Sequence, residues 1–130
     1  DAAEAAKWWR KAAEQNYAKA QFNLGACYAN GEGVAQDAVE AVKWYRKAAE
    51  QNVARAQIKL GLCYANGEGV AKDDVEAYKW WLLASAQGDE DAKNNVTRIE
   101  SKMTQEHIAE GKQRAQARLE QRKTNSPSPR

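Results

Sequence analysis

Apolar and polar residues alternate along this chain on two length scales. On the short one, Ala5, Trp8 and Ala12, and again Ala41, Trp44 and Ala48, fall three and four positions apart among charged residues, the stripe of an amphipathic helix. A second kind of segment carries Ala20, Leu24, Cys27 and Tyr28, repeated as Ala56, Leu60, Cys63 and Tyr64. On the long scale, sliding the sequence by 36 positions matches residues 1–36 to 37–72 at 27 places. A period of that length marks a solenoid, because one helical hairpin cannot bury its apolar face and its neighbours must stack on it. The match fades after Ala84, where Leu82 and Leu83 replace the charged pairs Arg10-Lys11 and Arg46-Lys47.

Punctuation residues place the helix ends. Asp1, Asp37 and Asp73 each precede a Glu by three positions, a capping-box pattern that suits the positive end of a helix. These helices stop at Asn16, Asn52 and Gly88, residues that tolerate the left-handed backbone at a helix end. Second helices are predicted over about Ala18 to Ala29 and Ala54 to Ala65, with loops at Gly31/Gly33 and Gly67/Gly69 leading to the next cap. GEGVAQ is no phosphate loop: it lacks a third glycine, a preceding strand and a following GK[ST]. With Pro absent until Pro127, the pattern predicts an all-α fold, an α/α solenoid of about seven helices. Its expected organisation is a repeat region over 1–103 (periods 1–36 and 37–72 plus a drifted copy, 73–103), a capping helix over 104–123 and a disordered tail over 124–130. The capping helix is expected to start at Thr104 and to turn Ile108, Ala115 and Leu119 inward and Arg114, Arg118, Arg122 and Lys123 outward.

Charge and chemistry narrow the function. Lys and Arg number 20 against 18 Asp and Glu, and a formal charge of +2 implies no nucleic-acid partner. No apolar run approaches the ~20 residues of a membrane-spanning helix, so no membrane partner is expected. His107 is the one histidine, outside the repeats, so neither a metal cluster nor a catalytic Ser-His or Cys-His pair is expected, and no cofactor. Cys27 and Cys63 share one repeat position without a recurring cation beside them, the setting of structural free thiols. Trp8, Trp44 and Trp80 read as mortar between hairpins, whereas their neighbours Trp9, Tyr45 and Trp81 read as partly exposed. The chain opens at Asp1, where a helix also opens, which reads as a cut between helices; whether a leader or earlier repeats precede it, and the compartment, are left open.

The string LGxCYxxGxGVxxDxxEAxKWxRKAAEQ, carried by Leu24, Gly25, Tyr28, Gly31, Gly33, Val34, Asp37, Ala41, Trp44, Ala48 and Ala49 and their partners one period on, closely resembles the Sel-one-like repeats, relatives of the tetratricopeptide solenoids. The resemblance covers about residues 1–100. It implies a non-catalytic scaffold or adaptor. A disulfide-rich branch is linked to penicillin binding or hydrolysis, which makes an enzyme of that kind the alternative; Ala13, Ala20, Ala49 and Ala56 stand where that branch implies paired cysteines.

The differences between the two copies are informative. Lys19/Arg55, Phe22/Ile58, Asn23/Lys59 and Ala26/Leu62 are spaced i, i+3, i+4, i+7, one stripe of a helix, opposite the identical Ala20, Leu24, Cys27 and Tyr28. Gln36/Lys72, the other change within the long repeated string, reads as a plain surface loop position. By the resemblance, the stripe faces a concave groove, continued in the third copy by Asp91, Asn94, Asn95 and Arg98. Lys19, Phe22, Asn23, Ala26, Arg55, Ile58, Lys59, Leu62, Asn94, Asn95 and Arg98 are thus the candidate peptide-binding residues. The expected partner is a protein or an extended peptide with apolar side chains and a carboxylate, acidic or C-terminal. A monomer is expected, with self-association through Trp9 or Trp81, or a place in a longer array, as the alternative.

Overall fold

The computed structural model describes residues 1–125, and its elements are seven helices: α1 (Ala2–Glu14), α2 (Ala18–Asn30), α3 (Ala38–Glu50), α4 (Ala54–Asn66), α5 (Asp74–Ala86), α6 (Glu90–Glu100) and α7 (Gln105–Asn125). The expected caps are formed. The Asp1 and Asp37 carboxylates accept from the Glu4 and Glu40 N–H groups at 2.9 and 3.1 Å, and Asp73 accepts from Val75 and Glu76. Asp89, which the sequence pattern did not single out, caps α6 by accepting from the Ala92 N–H at 3.1 Å. Asn16, Asn52 and Gly88 sit at φ 71°, 67° and 92°.

Each helix packs on the next from α1 to α6, and α7 folds back onto α5. Buried Ala13, Ala20, Ala49 and Ala56 let adjacent helices approach closely. A polar ladder ties successive hairpins. Buried Gln21 donates to the Ala13 carbonyl and to Asn16 Oδ1, and its own Oε1 accepts from Gln51 at 2.8 Å. One period on, Gln57 donates to Ala49 and Asn52 and accepts from Gln87 at 3.0 Å. Two buried glutamines are thereby satisfied, and the left-handed asparagines are held from both sides.

The tryptophans divide differently from the sequence expectation. Trp44 and Trp80 are 4% and 2% exposed, but Trp8 is 63% exposed. Trp44 packs with Ala12 and Ala13 of the preceding α1, and Trp80 shares a cluster with Ala48 and Ala49 of the preceding α3, whereas among the described residues no helix precedes α1 to cover Trp8. Tyr45 and Trp81 are buried rather than partly exposed, whereas Trp9 remains 37% exposed. Tyr45 and Trp81 fill the space over the side-chain-free Gly25 and Gly61 of the preceding helices, and the Trp81 indole N–H donates to the Ile58 carbonyl at 3.1 Å. Trp81 is therefore no surface for self-association.

The last helix closes the open end of the array. Thr104 caps it, accepting from the His107 N–H at 3.1 Å. Ala115 and Leu119 join the cluster of Trp80 and Leu83, and Ile108 packs with Tyr78 and Ile99. Gly111 is pressed against the Tyr78 ring, where a Cβ would collide. Two of the arginines expected to point outward do not. Arg114 bridges Glu76 at 2.8 Å and Glu110 at 2.5 Å, and Arg118 lies over the Trp80 ring, 5.2 Å from its centroid, while donating to the Glu50 carbonyl at 3.2 Å. Long basic side chains lie along the apolar seam that they border. Residues 124 and 125, expected in the tail, continue the helix; residues 126–130 of that expected tail lie outside the described residues.

Candidate functional site

The variable stripe of α4 faces α6 across an open pocket of about 320 Å³, lined by Arg55, Ile58, Lys59, Leu62, Asp89, Asp91, Asn94, Asn95 and Arg98. Seven of the eleven candidate residues meet here, drawn from α4, which starts after the extended Val53 without a side-chain cap, and α6, which Asp89 caps. A second pocket of about 230 Å³ adjoins it, sharing Leu62, Asn95 and Arg98 and adding Ile99, Lys102 and Trp81. Leu62 is 37% exposed and stands between the two, a large apolar side chain beside the Asn95 amide. Ion pairs recorded among the described residues do not involve Arg55, Lys59 or Arg98. Asp89 and Asp91 put carboxylates on the opposite wall, so the groove carries both signs.

The other four candidates, Lys19, Phe22, Asn23 and Ala26, lie on α2 and do not line these pockets. Phe22 is half-buried against the Tyr45 ring, with centroids 5.7 Å apart and planes at 43°. Its counterpart Ile58 packs with Trp81. The change from Phe22 to Ile58 therefore tracks the change from Tyr45 to Trp81: the smaller side chain of α4 meets the larger one of α5. Periodicity alone could not show this, because both partners of the exchange vary. Gln36 and Lys72 are also more than loop surface. Each donates at 2.9 Å to the last turn of the preceding helix, Gln36 to the Ala29 carbonyl and Lys72 to that of Ala65. Lys72 pairs with Asp74 at 3.0 Å and lines the second pocket.

At both cysteines the electrostatics run against a thiolate. Burial and the nearby Glu32 push the Cys27 thiol up, and burial and Glu68, against a smaller opposing effect of Lys59, do the same for Cys63. Both thiols are free and half-buried. Tyr45 is pushed up to about 12, chiefly by burial. Among the described residues no three His, Cys, Asp or Glu side chains come together as a metal site, and no helix is long and apolar enough to cross a membrane.

The Sel1 repeat family model matches residues 1–17, 18–53 and 54–89. The structure is similar to that of c5321, a protective antigen of uropathogenic Escherichia coli displaying an SLR fold, with a TM-score of 0.88 and 32% identity over 98% of this chain and 29% of that one. It is also similar to a Sel1 repeat protein from Oxalobacter formigenes, with a TM-score of 0.72 and 49% identity over 74% of this chain and 40% of that one. Cysteine rich protein B of Helicobacter pylori aligns with a TM-score of 0.65 and 32% identity, over 68% of this chain and 67% of that one. No curated protein matches the sequence. The chain thus spans less than half the length of the first two structures. The 36-residue period, the paired helices and the matched repeats agree, and the chain belongs to the Sel1 repeat family, whose solenoids generally serve as protein-interaction scaffolds.

Proposed function

We propose that the chain is a non-catalytic adaptor that holds an extended peptide in the groove between α4 and α6. The observation that carries this reading is one pocket joining exposed Leu62 to Arg55, Lys59 and Arg98, three cations outside the recorded ion pairs. Leu62 offers apolar contact, Asn95 offers an amide for the peptide backbone, and the cations offer charge-assisted bonds to a carboxylate, acidic or C-terminal. Asp89 and Asp91 favour a peptide that also carries a basic side chain.

A charge-assisted hydrogen bond contributes roughly 1.5 to 3 kcal/mol when well formed, and less where water screens it. A peptide selected by display on the immobilised protein should therefore lose at least about tenfold in affinity to the R55E/K59E variant. The melting temperature should stay within a few degrees, since both side chains are exposed. K112E, an exposed position on α7, is the control and should bind like wild type. Lys72 would not serve, because it lines the second pocket. Equal affinity of wild type and R55E/K59E in titration calorimetry would move the site off this groove.

A further inference from the structure

The two junctions between successive hairpins are built from the same repeat positions, yet among the described residues only the second is covered. There α7 lays Ala115 and Leu119 on the cluster containing Leu83, and Arg118 sits over Trp80 with its guanidinium on the Glu50 carbonyl. One period earlier the counterparts of Glu50, Trp80 and Leu83 are Glu14, Trp44 and Lys47. Together with Arg10, Lys43 and Gln21, these residues line an open pocket of about 280 Å³.

The chemistry of the two junctions has diverged. At the second, Lys79 is neutralised by Glu76 at 3.0 Å and Leu83 supplies an apolar floor. At the first, Lys47 replaces that leucine, and the contacts recorded for Lys43 and Lys47 are with the face of the Trp44 ring, 5.0 and 5.8 Å from its centroid. Arg10 adds a third cation, and Glu14 is the one acid in the lining. The α7 helix of a second copy would suit this pocket badly, because it brings Arg114, Arg118, Arg122 and Lys123 to a surface that is already positive.

We propose that the first junction is a docking site for an acidic amphipathic helix of a partner protein, seated as α7 is seated at the second junction but with carboxylates where α7 carries arginines. This surface shares no residue with the α4/α6 groove, so it stands or falls independently of the peptide-binding reading.

The probe is a fluorescein-labelled synthetic peptide with the sequence of residues 104–125 carrying R114E, R118E and R122E, titrated with the full chain by fluorescence anisotropy. Saturable binding is expected, at least about tenfold weaker for K43E/K47E and falling with added salt. The K43Q/K47Q variant, which removes charge without reversing it, should lie between the two, and circular dichroism checks that each variant folds. R55E/K59E should bind the probe like wild type. Any of three results would overturn the proposal: no saturation up to about 1 mM peptide, equal affinity for wild type and K43E/K47E, or equally tight binding of the unsubstituted basic peptide, which would hand the junction to a second copy of this chain.

Discussion

A single side chain in this repeat often answers to a partner one helix away. Phe22 faces Tyr45, and Ile58 faces Trp81. Gln36 and Lys72 differ in charge but close the same kind of helix end, because either can carry an N–H to a carbonyl 2.9 Å away. The thiols follow the same logic of surroundings. Burial raises both above their ordinary value, so little thiolate exists at neutral pH. Iodoacetamide should label the folded protein more slowly than a small exposed thiol at pH 7.5, with the rate rising as pH rises. After denaturation without reductant, intact mass should show two labelled cysteines; a monomer that takes no label would contradict the free thiols seen here.

At the scale of the element, α1 and α3 read clearly as amphipathic, but α5 does not. It is buried on nearly every side: Val75, Ala77, Tyr78, Trp80, Trp81, Leu83 and Ala84 all avoid solvent. A helix apolar all round is an interior helix, and α5 is enclosed by α4, α6 and α7. One charged link fastens α7 to it. Burial would raise the Glu76 carboxyl, but the hydrogen bonds and charges of Lys79 and Arg114 outweigh that and hold it below the usual carboxylate range. A depressed folded value means that the link stabilises the fold above the unfolded carboxyl pKa of about 4.3 and is lost as pH falls through the lower folded value. Arg114 is partly solvated, so the link contributes only about 1 kcal/mol. The E76Q variant should melt roughly 3 to 6 °C below wild type at pH 7. The gap should close only as the pH falls through the lowered folded value of Glu76, where wild type is protonated as well. A gap independent of pH would show that packing, not charge, accounts for the loss.

Across the whole molecule, the two ends of the stack are treated differently. At one end Trp8 is exposed; at the other, α7 covers the face that would otherwise present Leu83, Tyr78 and Trp80. Removing residues 104–130 should lower the melting temperature by roughly 5 to 10 °C. Light scattering should then detect association, since solenoids need a terminal element with a polar outer face to stay dispersed. A truncated chain with an unchanged melting curve and mass would mean that α7 contributes nothing to the stack.

Local signals determined the architecture in advance. Helix positions and the Asp and Asn ends follow from spacing and caps, which act within one or two turns of chain; the 36-residue stacking unit follows from the periodicity, and the inward turn of Ile108, Ala115 and Leu119 from their helical spacing. Tertiary structure decided what depends on having a neighbour. It buried Trp44 and Trp80 but left Trp8 in solvent, although the three share one repeat position, because exposure is set by the helix opposite and not by the residue. It turned Phe22 toward Tyr45, gathered Arg55, Lys59 and Leu62 with Arg98 and the missed Asp89, and laid Arg118 on Trp80. A periodic sequence specifies what each helix offers, and only the stacked chain determines which offers meet.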